Sequence, residues 1–251
     1  MTRAPYDAAT AEPPARASDG APSPAPLGLD HLTHLVAAQD AFLASIAEVD
    51  PTTRVPWCGR WRVRDLVVHL GRIHHWAAGQ ASKRQETPLG RGPFVLDTFY
   101  ATQAAELRET LVRLGDTEGW TLVGNGPASW WRRRQLHETT VHLWDLRTAG
   151  GLPLDDDAAV WSDTVDEVVT VMQPRQQAMG RMQPLPAPVR LVATDADQTW
   201  LLGGTGTPSV TVEGTAQDLA LLVWGRRSPD EVAVRGDAAA LDDALARRLT
   251  P

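Results

Sequence analysis

The sequence predicts an α+β fold in which a bundle of helices precedes a small α/β domain. Apolar residues recur at helical spacing from about residue 28 to about residue 178, as they do in helices with one buried face. Glycine and proline residues interrupt this period several times and divide the region into separate helices. After Pro184 the apolar residues fall instead in short runs bounded by turn-forming residues, which predicts strands.

Five helices are predicted in the first part of the chain, most of them ending near proline or glycine. They span about residues 28–50, 63–82, 94–114, 129–148 and 155–178. The segment 115–127 contains several glycines and is predicted to be a long connection between the third and fourth helices.

The second part of the chain alternates between strand and helix patterns. Strands are predicted at 189–193, 199–202, 210–213 and 232–235, and helices at 215–224 and 238–249. The glycine-rich segment 203–206 could form a phosphate-binding loop, but such a loop leads into a helix and none is predicted to follow it. We therefore interpret this segment as a hairpin turn.

Three regions follow from these patterns. Residues 1–26 are rich in proline, alanine, serine and glycine and lack a hydrophobic period, which predicts a disordered tail. Residues 27–183 are predicted to form the helical bundle, and residues 184–251 the small α/β domain.

Composition excludes several classes of protein. The net charge of −7 and the pI of about 5.5 argue against a nucleic-acid-binding protein, which normally has a basic face. Cys58 is the single cysteine, so an intramolecular disulfide and a thiolate-rich metal site are both excluded. No apolar run is long enough to span a membrane, and the N-terminus lacks the pattern of a signal peptide. We therefore expect a cytoplasmic protein without nucleic-acid or membrane partners.

Two predicted helices carry residues that could bind a metal. His69 lies three residues after Leu66 and four before Ile73, so it shares their core-facing side of the second helix. On the fourth helix, Glu138 and His142 are four residues apart and project side by side. Two histidines and one carboxylate leave an open coordination position, as catalytic zinc sites do.

Asp145 follows on the same face of the fourth helix as Glu138 and His142. Buried charges of this kind need compensation, and a metal ion supplies it directly. The alternative interpretation is a solvated helix face, or an internal salt-bridge network with nearby arginines. Asp145 itself either orients a ligand histidine or is an acidic residue at the helix surface.

The segments 57–71 and 137–145 resemble motifs of the mycothiol-dependent maleylpyruvate isomerase family, and 189–195 and 214–226 resemble its C-terminal part. The resemblance covers about residues 28–250. It implies a DinB-like up-down four-helix bundle with a metal site, followed by a sterol-carrier-like α/β domain. Gly59-Arg60 stands where the family usually has Pro-Gly, so the shape of that loop is expected to differ here.

The resemblance also assigns residues. His69, Glu138 and His142 match the metal ligands of the family, and Arg226 matches an arginine near its active site. A second active-site arginine is expected between the second and third helices, where Arg91 and Arg84 are both candidates.

The implied activity is that of a zinc-dependent enzyme that uses mycothiol as its thiol cofactor or cosubstrate. Such an enzyme activates the thiol for attack on a small electrophile, either as a cis-trans isomerase or as an S-transferase. The codon bias that the composition suggests, with 23 arginines against the single Lys83, fits a high-GC actinobacterial source. A metal-dependent hydrolase and a non-catalytic binding protein are the alternatives, and a monomer or homodimer is expected.

The remaining candidates lie near these motifs. Cys58 precedes the second helix, where it could act as a nucleophile or have a structural role. Four tryptophans lie close in sequence to the site residues and could form the wall of a pocket: Trp57, Trp61, Trp76 and Trp144.

Overall fold

The computed structural model describes residues 28–154 and 157–250 of the chain. The described residues form two compact units, 28–160 and 161–250. The tail predicted at 1–26 lies outside the described residues. The residues 161–183, which the sequence assigns to the bundle, group with the second unit in this division, and the domain boundary at 184 stays a prediction.

Four helices lie within the first unit. Three of them begin within two residues of the predicted start, and the first begins three residues after it. They are α1 (His31–Ile46), α2 (Val63–Ala81), α3 (Leu96–Leu114) and α4 (Trp130–Gly150). Helix α2 packs against both α3 and α4, and α1 packs against α4 and α3. The predicted helical bundle is therefore confirmed, and α2 lies between two neighbours.

Local chemistry determines where these helices begin and end. The Asp30 side chain accepts hydrogen bonds from the backbone N–H groups of Leu32 and Thr33, which caps the N-terminus of α1. The Asp65 carboxylate accepts a hydrogen bond of 2.9 Å from the backbone N–H of Arg62 at the start of α2. Gly151 ends α4 with a φ of +66°, a left-handed conformation that glycine adopts without steric cost.

Two clusters of buried apolar side chains fill the bundle. The first joins residues of α1, α2, α3 and α4, among them Phe42, Leu66, Leu70, Tyr100 and Leu146. The second also draws on all four helices, and includes Leu35, Ala77, Leu107, Leu111 and Leu136. The apolar stripes that predict the helices are therefore the surfaces that pack in the core.

The connection between α3 and α4 contains a β-hairpin that the sequence analysis missed. Strands β1 (Glu118–Thr121) and β2 (Gly124–Pro127) pair in antiparallel register around a short turn. Glycines in this segment predicted a loop, but Gly119 lies where a Cβ atom would be 2.6 Å from the Ala81 carbonyl oxygen. Strand β1 passes close to the C-terminal end of α2 at this point, and glycine permits the approach because it has no side chain.

The fifth predicted helix is interrupted. Helix α5 (Ala158–Glu167) continues through a π-helical turn at Val168–Met172 into α6 (Gln173–Ala178). The predicted start at Asp155 lies outside the described residues.

A four-stranded mixed sheet forms the centre of the second unit. Its strands are β3 (Val189–Ala193), β4 (Thr199–Leu202), β5 (Val210–Gly214) and β6 (Ala233–Gly236). The spatial order is β4-β3-β5-β6, with β3 and β5 parallel. Helices α7 (Ala216–Val223) and α8 (Ala238–Ala246) pack against β3 and β5. The predicted α+β class is confirmed.

The interpretation of 203–206 as a hairpin turn was wrong. The strands on either side of this segment, β4 and β5, are not neighbours, because β3 lies between them. The segment instead crosses from the edge strand to the far side of β3, and the parallel pairing of β3 with β5 requires such a crossover.

Within the described ranges, no helix has both the length and the apolar character needed to cross a membrane.

The close packing of α2 against α3 gives a test of the fold. A Cβ atom at Gly71 would lie 2.6 Å from the Phe99 ring, whereas one at Gly79 on the same helix would meet its nearest neighbour at 3.4 Å. We expect Gly71→Ala to lower the free energy of unfolding by about 1–3 kcal/mol through overpacking. Gly79→Ala should be neutral or stabilising because alanine favours helix. Urea denaturation of both variants measures the difference, and equal stabilities would contradict the packing described here.

Candidate metal centre

The packing of α2 against α4 brings His69, Glu138 and His142 together. The Glu138 Oε1 atom lies 3.5 Å from His69 Nε2 and 3.3 Å from His142 Nε2. One ligand atom from each of the three residues lies within 4.8 Å of the other two. The sequence analysis proposed the same three residues, and the structure places them in one cluster.

Helix geometry fixes two of these side chains with respect to each other. Glu138 and His142 are one turn apart on α4, so their side chains lie on the same face. His69 comes from α2, and its ring meets the His142 ring edge-on with the centroids 5.2 Å apart. The cluster therefore depends on one helical turn and on one contact between helices.

Two of the three side chains of the cluster are partly exposed. The His69 side chain is 21% exposed and that of Glu138 is 14% exposed, whereas His142 is 5% exposed. His69 was predicted to point into the core, but it lies at the border between core and solvent. This position suits a ligand, because a small molecule can then reach the site.

Arg134 lies one turn before Glu138 on α4 and is almost fully buried. Its guanidinium group donates a hydrogen bond to Glu138 Oε2, the oxygen that does not face the histidines. Burial alone would raise the pKa of Glu138, but the Arg134 charge and the hydrogen bonds from His142 and His69 hold this pKa well below its usual range. Glu138 is therefore a carboxylate with its Oε1 atom directed at both histidines.

Asp145 lies one turn after His142 and is fully buried. Its Oδ2 atom is 2.9 Å from His142 Nδ1 and accepts a hydrogen bond of 3.5 Å from the Cys58 thiol. Burial opposes a charge on His142, yet the hydrogen bonds to Asp145 and Glu138 raise the pKa of His142. Of the two interpretations of Asp145, the structure excludes a residue at the helix surface.

Three of the four tryptophans near the site residues in sequence have clearly different environments. The Trp61 ring lies against the His69 ring with the centroids 4.7 Å apart, so Trp61 does border the site. Trp76 packs edge-on against Trp131 in the second core cluster. Trp57 is 53% exposed and has a φ of +66°, in the loop that also carries Cys58.

His74 and His75 follow His69 on α2 but are not ligands in this cluster. His74 is fully buried and its Nδ1 atom lies 2.8 Å from the Gln135 side-chain oxygen. Burial lowers the pKa of His74 to about 4, against the hydrogen bond with Gln135, so this histidine is neutral at pH 7. His75 Nδ1 lies 2.5 Å from Glu106 Oε2 on α3.

The candidate arginines differ in their partners. Arg84 forms an ion pair with Glu106, the residue that also contacts His75. Arg91 is exposed and lines an open cleft of about 500 Å³ together with Arg72 and Glu86.

Arg226 lies in the second unit. It donates a hydrogen bond of 2.8 Å to the Trp224 carbonyl oxygen, and its guanidinium lies 5.7 Å from the centre of the Trp224 ring.

The donor atoms fit a divalent cation. Two imidazole nitrogens and one carboxylate oxygen converge, and such donor sets are typical of catalytic zinc sites. The Oε1 atom of Glu138 lies 3.3 Å from His142 Nε2 and 3.5 Å from His69 Nε2, so the three donor atoms face one another. The residues present therefore match the group that the sequence analysis proposed.

A helical bundle with a His-Glu-His cluster, followed by a small mixed-sheet unit, defines a specific class of two-part protein. The family model described as "Mycothiol maleylpyruvate isomerase N-terminal domain" matches residues 32–147. The model described as "MDMPI C-terminal domain" matches residues 157–243. Together they cover most of the chain, and the chain belongs to the mycothiol-dependent maleylpyruvate isomerase family.

Solved structures agree with this fold. The chain is similar to the crystal structure of the mycothiol-dependent maleylpyruvate isomerase, with a TM-score of 0.62 and 16% sequence identity. It is also similar to a mutant of that isomerase in which one histidine is replaced by alanine, with a TM-score of 0.63 and 16% identity. Each match covers 83% of this chain and 93% of the other. Among curated proteins, no sequence matches the chain.

Sequence reasoning did not single out Arg134. The sequence did contain one signal of its role. Arg134 precedes Glu138 by four residues, which is the spacing of an ion pair on one helix face. The pattern could not show that Arg134 is buried and that Glu138 is only 14% exposed, and this low exposure is what makes the pair important.

The Arg134–Glu138 pair gives a second test. In metal-free protein, we expect Arg134→Met to cost about 3–5 kcal/mol of unfolding free energy, because it leaves a buried carboxylate without its cation. The double variant Arg134→Met with Glu138→Gln should lose much less than the two single losses combined.

The matched control is Lys83→Met, which breaks the surface pair of Lys83 with Glu118 and should cost less than about 1 kcal/mol. Chemical denaturation of the four variants gives the comparison. A cost for Arg134→Met no larger than that of the control would contradict the buried pair.

Proposed function

We propose that the chain is a zinc-dependent enzyme that activates mycothiol for attack on a small electrophile, as a maleylpyruvate-isomerase-like cis-trans isomerase. The observation that carries the proposal is the convergence of His69, Glu138 and His142 on one accessible point. Membership of the family supports the thiol, since both matching models are named for an isomerase that uses mycothiol.

His69, Glu138 and His142 would hold the metal. A divalent cation held there would supply a positive charge that lowers the pKa of a nearby thiol and so favours its thiolate form. Arg134 keeps Glu138 ionised and occupies its second oxygen, so Glu138 presents a single oxygen to the site. The exposed edge of His69 leaves a route by which a thiol and a substrate can enter.

The proposed reaction needs no net change in the thiol. Its thiolate sulfur adds to one carbon of a cis double bond that is conjugated to a carbonyl group, and the π electron pair moves onto the carbonyl oxygen as an enolate. The former double bond is then a single bond about which the substrate can rotate. Elimination then breaks the new carbon–sulfur bond, restores the double bond in the trans geometry and releases the thiol. An S-transferase would use the same groups, but its product would keep the carbon–sulfur bond.

Arginine side chains are proposed to bind the carboxylates of the substrate or cofactor, since a guanidinium can bind a carboxylate through two parallel hydrogen bonds. We propose Arg226 for this role on the basis of the family motif. For the second arginine we propose Arg91, because Arg84 is already held in an ion pair with Glu106.

The first test of this function is the metal content and activity of the His69→Ala variant. The purified wild-type protein should contain about one zinc per chain and isomerise maleylpyruvate only when mycothiol is supplied. His69→Ala should lose the zinc and the activity together, because it removes one of three ligands. The control is His34→Ala, which removes a half-exposed histidine beside Asp157 and should keep both.

Full activity of His69→Ala would refute the scheme. Activity that does not require a thiol would indicate the hydrolase, with zinc-bound water as nucleophile. A stable thioether product would indicate the S-transferase. Zinc binding without turnover of any electrophile would favour the binding protein.

The proposed role of Arg226 gives a separate prediction. We expect Arg226→Gln to lower kcat/KM by roughly a hundredfold through the loss of a carboxylate anchor, with zinc content unchanged. Arg235→Gln is the control, since Arg235 lies in the same unit, is 75% exposed and pairs with Glu213. Steady-state kinetics decide the question, and equal kcat/KM values for the two variants would exclude Arg226 from the site.

A further inference from the structure

His142 lies between two carboxylates. Its Nδ1 atom is 2.9 Å from Asp145 Oδ2, and its Nε2 atom is 3.3 Å from Glu138 Oε1. The three residues follow one another at intervals of one helical turn on the same face of α4. The orientation of the imidazole ring is therefore fixed from both ends.

The contact with Asp145 determines which nitrogen of His142 can bind a cation. Carboxylate oxygens accept hydrogen bonds, so the 2.9 Å contact makes Nδ1 the nitrogen of His142 that donates to Asp145. The Cys58 thiol donates to the same Oδ2 atom, as expected for an acceptor oxygen. Nε2 is then the nitrogen of His142 that remains available to a cation, and it is the atom that faces Glu138 and His69.

His69 is held differently. Its ring packs against Trp61, with the ring centroids 4.7 Å apart. Packing of this kind restrains the plane of the ring, but it does not choose between the two tautomers. Asp145 thus restrains the His142 ring through Nδ1, and Trp61 restrains the plane of the His69 ring.

We infer that Asp145 is a positioning residue of the metal centre, which holds His142 in the tautomer and orientation that present Nε2 to the cation. The inference rests on the proposed zinc site at His69, Glu138 and His142. Asp145 acts through His142 and does not itself touch a substrate. A carboxylate behind a ligand histidine also increases the donor strength of the imidazole, so its loss weakens the metal bond.

The burial of Asp145 supports a specific role over an incidental contact. Burying a carboxylate lowers the stability of the fold unless the carboxylate is hydrogen-bonded. An apolar residue at position 145 could fill the same space without this cost. Its position three residues after His142 is also the one from which a short side chain reaches Nδ1.

The experiment compares zinc affinity in the full-length wild type, Asp145→Asn, Asp145→Ser and a control. Competition with a chromogenic chelator at fixed pH measures the Kd of each metal-free protein for zinc. We expect both Asp145 variants to bind zinc 10- to 100-fold more weakly, on the order found for such outer partners. The control Asp97→Asn removes an exposed carboxylate on α3 and should bind within about twofold of the wild type.

A spectroscopic measurement separates positioning from a merely structural role. With Co²⁺ at saturating concentration, the visible absorption bands report the geometry and donor strength of the ligands. They should shift in Asp145→Asn and Asp145→Ser and remain unchanged in Asp97→Asn. The serine variant is included in case the asparagine variant does not fold, because serine removes the carboxylate without placing an amide N–H group against His142 and Cys58.

Three outcomes would overturn the inference. Zinc affinity of both variants within about twofold of the wild type, while His69→Ala loses zinc, would refute the role of Asp145 and leave the proposed metal site intact. A lower melting temperature of the metal-free variants with unchanged Co²⁺ bands would show a structural role alone. A wild-type protein that binds no zinc would refute both the site and the inference.

Discussion

The packing around the candidate metal centre depends on the carboxylate of Glu138, whose side chain is only 14% exposed. A charge in this position is tolerated only if cations or hydrogen-bond donors surround it, and this condition restricts its neighbours. Arg134 and His142 meet it from the turns before and after Glu138 on the same helix. His69 meets it from α2, so that contact also fixes the packing of α2 against α4. A core of apolar residues alone would not impose such a register between the two helices.

Much of the bundle and of the cluster could be predicted from the sequence, because both follow from helical periodicity. The side-by-side placement of Glu138 and His142 is a property of a single helix and needs no tertiary information. The joining of His69 to this pair is a tertiary contact, which the family motif suggested and which periodicity alone could not supply. Leu66, Ile73 and His69 were all predicted to face the core, and the prediction is right for Leu66 and Ile73 but not for His69, whose side chain is 21% exposed.

The reason for that error is the position of α2 between α3 and α4. A helix with two neighbours buries more than one stripe, so His74 and His75 are more deeply buried than His69. The β1–β2 hairpin and the crossover at 203–206 were mispredicted for a related reason. Strand pairing joins residues that are distant in sequence, and the local glycine pattern does not specify the partner.

The origin of the donors from two separate helices has a thermodynamic consequence. Residue 69 and residues 138 and 142 lie far apart in the chain and come together only when α2 packs against α4. A cation bound by all three therefore binds the folded bundle and has little affinity for the unfolded chain. Its binding free energy adds to the stability of the fold, by about 2.7 kcal/mol when the free cation is at a hundred times its Kd. If the site holds a cation as proposed, the melting temperature of the protein would report the free metal concentration around it.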